Sequence, residues 1–142
     1  MGGGVDGIIF NELFEHCRFD LLSTLNDLNR TLKPGGYLFL STPNLKSAIG
    51  LYKYIFKHNA YGVAGDVYHE WNKIHEIGHM GHVREYTPQE VSRLLEKCDF
   101  QIKETVYRGF YRNKGKLQKM ARLASKLNKS LLPMFSIVAQ KC

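Results

Sequence analysis

The chain has 142 residues, 44% of them hydrophobic and 23% charged, which is enough for one globular domain and unlike a disordered segment. Its formal net charge of +7 indicates an anionic partner such as a nucleic acid, a phosphorylated substrate or a membrane surface. No apolar run is long enough to span a bilayer, and the N-terminus lacks the pattern of a signal peptide. The three cysteines show no CxxC spacing, so we expect free thiols in a cytoplasmic protein.

The first part of the chain is predicted to form a β-α-β unit. Residues 1–4 are typical of a flexible leader or a cloning scar, and a buried strand is predicted at Val5–Phe10. An amphipathic helix is expected over about 19–32, and it ends at Lys33–Gly36 because proline cannot continue a helix. A second buried strand is predicted at Tyr37–Leu40. This succession predicts two parallel strands joined by a right-handed crossover.

The second part of the chain alternates helices and strands around one long connection. An amphipathic helix is predicted over residues 45–57, and the polar, histidine-rich stretch 58–84 is long enough to be a substrate loop or a lid. The residues Thr87-Pro88-Gln89-Glu90 predict a capped helix that runs to about Cys98. The remaining predicted elements are a strand at Phe100–Tyr107, a basic helix over residues 115–129 and a last strand at Phe135–Ala139.

Acidic and histidine side chains follow the first predicted strand. Glu12, Glu15 and His16 are spaced i, i+3, i+4, and on a helix that spacing places three side chains on one face. Two carboxylates and an imidazole at the carboxyl end of a strand suit a divalent-metal site or acid–base chemistry. The alternative is that the two acids only favour the first turn of a helix, with the histidine on the surface.

Three segments occur in an order and at distances that resemble one enzyme family. They are Phe10-Asn11-Glu12-x-x-Glu15-His16, then Leu32-Lys33-Pro34-Gly35-Gly36 with the strand that follows it to Asn44, then His82-Val83-Arg84-Glu85-Tyr86-Thr87. Together they resemble the C-terminal half of a class I S-adenosylmethionine-dependent methyltransferase of the type 11/23 group. The resemblance implies an α/β fold in which residues 5–142 form part of one Rossmann-like domain, namely strands four to seven with their helices.

The resemblance leaves out the strands that bind most of the cofactor in that family. The glycine-rich loop after the first strand and the ribose-binding acid after the second are not found in this sequence. The first strand of this chain would therefore present an unpaired edge. The implied function is that of an S-adenosylmethionine-dependent O-methyltransferase present as a truncated chain. The alternative is a non-catalytic subunit whose exposed edge is covered by a partner chain or by a second copy.

The resemblance also implies which residues form the site. Glu-x-x-Glu-His looks like the metal-binding segment of ubiquinone-biosynthesis and small-RNA O-methyltransferases, which implies Glu12, Glu15, His16 and His82 as ligands of Mg²⁺ or Mn²⁺. Such a metal would lower the pKa of an acceptor hydroxyl, expected on a small molecule. Relatives that bind no metal also carry a Glu-His pair here, so both possibilities stay open, with His82 and His16 as candidate catalytic residues. The end of the first strand, Phe10–Glu12, would lie near S-adenosylmethionine.

One further histidine pattern indicates a different chemistry. His75-Glu76-Ile77-Gly78-His79 matches the HExxH pattern of zinc proteases, which need both histidines on one regular helix. Gly78 and Gly81 interrupt such a helix, so the protease is the remote alternative. We expect His69, Trp71, His75 and His79 to line a substrate loop or to lie on its surface.

The excess of positive charge is concentrated in residues 107–129. This segment contains eight of the twenty lysines and arginines, Lys114 among them, and no acidic residue. The cations indicate either an ordinary solvated helix face or a surface for RNA or for a membrane. An opposing stripe is expected to pack on the domain; its members are Leu117, Met120, Ala121, Ala124 and Leu127.

Overall fold

The computed structural model describes residues 4–18, 20–112 and 115–142. The strands are β1 (Val5–Asn11), β2 (Leu32–Pro43), β3 (Phe100–Arg108) and β4 (Met134–Lys141). The helices are α1 (Leu21–Thr31), α2 (Ala48–Lys57), α3 (Val67–Asn72), α4 (Ile74–Ile77), α5 (Pro88–Lys97) and α6 (Lys116–Leu127), with 3₁₀ turns at Phe14–His16 and Lys129–Leu131. Three predicted features fall outside the described residues: most of the leader, Phe19 at the expected start of a helix, and Lys114 of the basic segment.

The four strands form one mixed sheet in the order β1-β2-β4-β3. β1 and β2 are parallel and joined by α1, so the predicted β-α-β unit is confirmed. β4 lies between β2 and β3 and is antiparallel to both. β1 therefore occupies one edge of the sheet and β3 the other, and the α/β class expected from the sequence is confirmed.

β2 is longer than the sequence predicted, and the expected turn lies inside it. Leu32 pairs with Val5, whereas Tyr37 already pairs with Gly7, so the residues between Leu32 and Tyr37 bulge out of the ladder. Gly35 has a φ of 76°, a conformation that glycine adopts without the steric cost of a Cβ. The helix before this segment ends at Thr31, as the proline predicted.

One face of the sheet is packed and the other is open. Residues alternate across a strand, and in β2 Leu38 and Leu40 are fully buried against α1 and α5, while Phe39 between them is 45% exposed. On β1, Ile9 is 73% exposed on the same open face. The hydrophobic core therefore lies on one side only; its central members are Phe14, Leu25, Leu38, Leu40, Val91, Leu95, Phe135 and Ile137.

The chain after β1 does not form the single helix face expected for Glu12, Glu15 and His16. Glu12 has a φ of 52° and ends the strand, and only the 3₁₀ turn Phe14–His16 follows it. A left-handed residue changes the direction of the chain, so spacing by helical turns does not apply across it. The prediction of a shared helix face was wrong: Glu15 and His16 remain close to each other, but Glu12 points away from them.

The expected packing of α6 was wrong for its large side chains. Leu117, Met120 and Leu127 are exposed, whereas Ala121 of the expected stripe is buried, together with Ser125. Small side chains allow α6 to lie close to α2 and to the turn at Lys129–Leu131. Among the described residues, no helix is both long and apolar enough to cross a membrane.

Candidate functional site

The carboxyl ends of β1 and β2 lie side by side, because the two strands are parallel neighbours. The turn Phe14–His16 follows the carboxyl end of β1, and the last residues of β2 lie beside this turn. The segment before α5 folds back over the turn, since the backbone N–H of Val83 donates to the Glu15 carbonyl over 2.8 Å. Open α/β sheets bind ligands at the carboxyl ends of their parallel strands.

Three of the predicted site residues come together there. A carboxylate oxygen of Glu15, a ring nitrogen of His16 and a ring nitrogen of His82 all lie within 4.8 Å of one another. The Glu15 side chain is buried, and the hydroxyl of Thr42 donates to its Oε2 over 2.8 Å. The two imidazole rings meet edge to face, with centroids 4.9 Å apart. The group thus brings together the turn after β1, which carries Glu15 and His16, and the segment before α5, which carries His82.

The hydrogen bonds of the two histidines determine which nitrogen is free. Nδ1 of His16 lies 3.1 Å from the carbonyl oxygen of Gly81, which can only accept, so Nδ1 carries the proton. Nδ1 of His82 lies 3.1 Å from Oε1 of Glu85, a carboxylate that likewise accepts. Both rings therefore keep Nε2 available for a metal ion, or for a proton taken from a substrate.

Glu85 is a buried carboxylate with several donors. The backbone N–H groups of Gly62, Val63 and Ala64 all donate to it, the shortest over 2.6 Å, in addition to the ring of His82. Burial alone raises the pKa of Glu85, but the hydrogen bonds from His82 and these backbone groups outweigh it and hold the pKa below its usual value. Glu85 thus stays ionised and orients the His82 ring.

The pKa of His82 moves in the opposite direction. Burial lowers it, whereas the hydrogen bond and the charge of Glu85, with smaller contributions from Glu15 and Glu70, raise it above the usual histidine value. Without a metal, His82 therefore holds its proton more tightly than a free histidine. A bound cation would favour the neutral ring, because the ring must offer a lone pair.

A second buried carboxylate, Glu70 of α3, holds the backbone of the same loop. It accepts from the ammonium group of Lys73 and from the backbone N–H groups of Gly65 and His82. Burial raises the pKa of Glu70, but these bonds together lower it below its usual value. The segment 58–84, predicted as a substrate loop, therefore contains two short helices. Its backbone is held by hydrogen bonds to the buried carboxylates of Glu70 and Glu85.

Glu12 lies apart from the group of three. Its Oε1 accepts from the hydroxyl of Ser41 over 2.9 Å and from the guanidinium of Arg108 over 2.8 Å. Asn11 is exposed at the end of β1, beside the open sheet face, while the side chain of Phe10 packs against the core. Glu12 and Asn11 are thus exposed at the carboxyl end of β1, whereas the side chain of Phe10 is partly buried.

The HExxH pattern does not form a helix that presents both histidines. α4 ends at Ile77, and Gly78 with a φ of 76° separates His75 from His79. Nδ1 of His79 is turned to the carbonyl of Met80. Over the described ranges, the group of Glu15, His16 and His82 is the cluster with the proximity that a metal needs, and the HExxH residues are not part of it.

Several residues of the site were not predicted. Ser41 and Thr42 follow the buried part of β2, so the meeting of parallel strand ends could have indicated them. Glu85 and Glu70 gave no local signal, because an acid in a polar loop is ordinarily exposed. Arg108 was noted only as part of the basic segment. Its contact with Glu12 depends on the position of β3 in the sheet.

Comparison with known proteins identifies the fold. A structure from Methanosarcina mazei, described as an S-adenosylmethionine-dependent methyltransferase, is 21% identical with a TM-score of 0.59, covering 99% of this chain and 60% of that one. Such a methyltransferase from Mesorhizobium loti is 15% identical with a TM-score of 0.59, covering 99% and 63%. The methyltransferase bound to the Trm112 activator of Haloferax volcanii is 14% identical with a TM-score of 0.55, covering 98% and 55%.

This chain therefore spans less than two thirds of the length of each of those solved structures. No protein of curated function matches it in sequence. The sequence profile described as "Methyltransferase domain" matches residues 2–105, which is most of the chain. With the mixed sheet and the shared fold, this match shows that the chain belongs to the methyltransferase domain family.

Proposed function

We propose that this chain supplies the acceptor side of an S-adenosylmethionine-dependent O-methyltransferase that a divalent metal assists. The observation that carries the proposal is the convergence of Glu15, His16 and His82 at the carboxyl ends of β1 and β2. The donor set contains one carboxylate oxygen and two imidazole nitrogens, and Glu12 is not part of it. This set suits Mn²⁺ better than Mg²⁺, which prefers oxygen ligands.

The residues of the site have separate roles in this proposal. Glu15, His16 and His82 would hold the ion, whose chemistry would be to lower the pKa of the acceptor hydroxyl. In methyl transfer the hydroxyl gives up its proton to solvent, its oxygen forms a bond to the methyl carbon of the sulfonium, and the sulfur–carbon bond breaks with its electron pair left on sulfur. Glu85 and the Gly81 carbonyl fix the tautomers of His82 and His16. Without a metal, Nε2 of a neutral His82 would accept the hydroxyl proton.

The cofactor requires residues beyond this chain. In the proposal, Asn11 and Glu12 contact S-adenosylmethionine from the end of β1, and an N-terminal half of the domain supplies the remaining contacts. That half would pair with the free edge of β1 and cover Ile9 and Phe39 on the open face of the sheet. The expected acceptor is a small molecule with a hydroxyl group, and the free thiols Cys17, Cys98 and Cys142 suit a cytoplasmic protein.

The open edge also favours a second candidate function. A chain with this half of the fold alone could act as a non-catalytic subunit whose partner covers β1 and the bare sheet face. Such a subunit would bind its partner without binding S-adenosylmethionine.

The test uses the polypeptide completed by its N-terminal half, assayed for methyl transfer from S-adenosylmethionine to a panel of small phenols and sugars. We expect chelation to abolish transfer and Mn²⁺ to restore it. Glu15→Gln should lower transfer by on the order of 10²-fold or more, because the ion loses its only carboxylate ligand. In calorimetry Glu15→Gln should also lose Mn²⁺ binding, whereas Glu12→Gln, which changes a carboxylate outside the group of three, should retain it.

Two results would contradict the proposal in different ways. If wild-type transfer is insensitive to the chelator and Glu15→Gln leaves it unchanged, the metal role fails while the methyltransferase assignment stands. If the completed polypeptide neither binds S-adenosylmethionine nor transfers a methyl group, the non-catalytic subunit takes its place.

A further inference from the structure

α6 turns its large apolar side chains to solvent. Met120, Leu123 and Leu127 are 69%, 63% and 86% exposed. Their spacing of three and four residues puts them in one row along the helix, here called the apolar row. The buried residues of α6 are the small Ala121 and Ser125. α6 therefore contacts its own domain through small residues and exposes large apolar ones. An exposed row of large apolar side chains is typical of a surface that binds another molecule.

Cations flank the apolar row on the same helix. They are Lys116, Lys119, Arg122 and Lys126. None of them forms an ion pair with a described residue, and the segment 107–129 contains no acid that could neutralise them. An exposed apolar row with lysine and arginine beside it is typical of a helix that lies in the plane of a membrane interface.

Phe110 extends this surface beyond the helix. Its ring is 76% exposed, and it lies in a groove whose other walls include Arg122, Lys126 and Lys129. An aromatic ring beside several cations suits the headgroup level of a bilayer, where the ring enters the apolar layer and the cations meet phosphate. The groove thus adds an aromatic anchor to the apolar row.

The main contacts of α6 do not involve β1, the strand at the open edge of the sheet. They are with α2 and with the turn at Lys129–Leu131, whereas further strands would pair with β1. The neighbouring α2, which α6 contacts, also exposes Tyr54, Ile55 and Phe56, and the exposed Lys57 follows them.

We propose that α6 and Phe110 form a docking surface for an anionic lipid bilayer. The cations and Phe110 would suit RNA equally well, but RNA provides no environment for the aliphatic side chains of the apolar row. A bilayer accommodates both, because leucine and methionine enter the acyl layer while lysine and arginine bind lipid phosphates. The proposal is independent of methyl transfer and of any metal.

The test is co-sedimentation of the chain with vesicles of phosphatidylcholine, alone or with about one third phosphatidylglycerol. We expect binding to the anionic vesicles that weakens when salt rises from about 0.1 M to about 0.5 M. Leu123→Ser with Leu127→Ser should weaken binding roughly tenfold or more, because two apolar side chains no longer enter the bilayer. Lys119→Gln with Lys126→Gln should weaken the preference for anionic vesicles roughly tenfold or more, while Lys116, Arg122 and Lys129 retain part of it.

Matched controls lie on other surfaces. Leu22→Ser on α1 changes a leucine that is also exposed, and Lys97→Gln with Lys103→Gln removes two cations outside the segment. Both should bind vesicles like the wild type. Because Leu123 and Leu127 are exposed, their serine variants should keep the circular dichroism of the wild type.

Four outcomes would overturn the proposal. The first is that the wild type fails to bind anionic vesicles, and the second is that the variant with both Leu123→Ser and Leu127→Ser binds them as well as the wild type. The third and fourth assign the surface to another partner. A dimer in analytical ultracentrifugation that this variant dissociates would assign the surface to a second copy. Salt-sensitive binding of a single-stranded RNA that depends on Lys119 and Lys126, without dependence on the two leucines, would assign it to RNA.

Discussion

At the scale of single residues, the site depends on a carboxylate that does not belong to the cluster itself. Glu85 is buried, accepts three backbone N–H groups and bonds to the ring of His82. Removing its charge would leave these donors without a charged acceptor and would release the ring. Glu70 offers a comparison, because it is buried in the same loop but reaches only the backbone of His82.

A prediction at this scale concerns Glu85→Gln in the metal-free chain, with Glu70→Gln as control. NMR titration should place the pKa of His82 above the usual 6.5 in the wild type. Glu85→Gln should lower it, since the carboxylate that stabilises the imidazolium is gone, and Glu70→Gln should lower it less. An unchanged titration of His82 in Glu85→Gln would show that Glu85 does not act on the ring.

The same contact sets a dependence of stability on pH. Because the folded pKa of His82 is raised, its contribution to the free energy of unfolding is fully present below the unfolded pKa and is lost as pH rises through the folded one. Urea titrations at several pH values should show the difference between wild type and Glu85→Gln shrinking as pH rises through that range. A constant difference would contradict the pairing.

At the scale of elements, α5 has the strongest local determinants in the chain. The Thr87 side chain accepts from the N–H of Glu90, the Glu90 carboxylate accepts from the N–H of Thr87, and Pro88 occupies the first turn. Val91 and Leu95 place one face of this helix in the core. The capping box also holds the end of the loop that carries His82 and Glu85, so the start of α5 affects both stability and the site.

We predict that Thr87→Ala lowers the free energy of unfolding by about 1 kcal/mol, because the backbone N–H of Glu90 loses its side-chain acceptor at the start of α5. Gln89→Ala is the control, because Gln89 is exposed in the first turn of the same helix. It should change the free energy of unfolding by less than about 0.5 kcal/mol. Equilibrium urea unfolding measures both variants. Equal effects of the two substitutions would show that the cap contributes nothing.

At the scale of the whole molecule, the sheet is covered on one face and has a free edge at β1. Ile9 and Phe39 face solvent on the open side, and the free edge offers unpaired backbone groups to another strand. Parallel strands are ordinarily buried on both faces. This arrangement is what supports the proposal that an N-terminal half of the domain packs against this side of the molecule.

We predict that hydrogen exchange distinguishes β1 from β4 in the isolated chain. Amides of β1 should exchange faster than those of β4, because β4 is paired on both sides and β1 on one. Adding a polypeptide that supplies the proposed N-terminal half of the domain should slow exchange in β1 and leave β4 nearly unchanged. If β1 is already as protected as β4 in the isolated chain, the open edge is closed by other means.

Local patterns in the sequence determined most of the elements and the α/β class. Apolar periodicity, the Lys33–Gly36 turn signal and the capping box at Thr87 act over a few residues, so they can be recognised without knowing the fold. The same patterns failed after β1, where the left-handed Glu12 removed the helix that the spacing implied, and on α6, where small residues pack instead of large ones.

Only the tertiary structure decided which polar groups form the site. His16 and His82 lie far apart in the chain, and they meet because the loop before α5 folds back over the turn after β1. The burial of Glu85 and the pairing of Glu12 with Arg108 likewise arise from contacts between distant segments. The residue types of the site were visible in the sequence, but their partners, protonation and grouping depend on non-local packing, which no local pattern encodes.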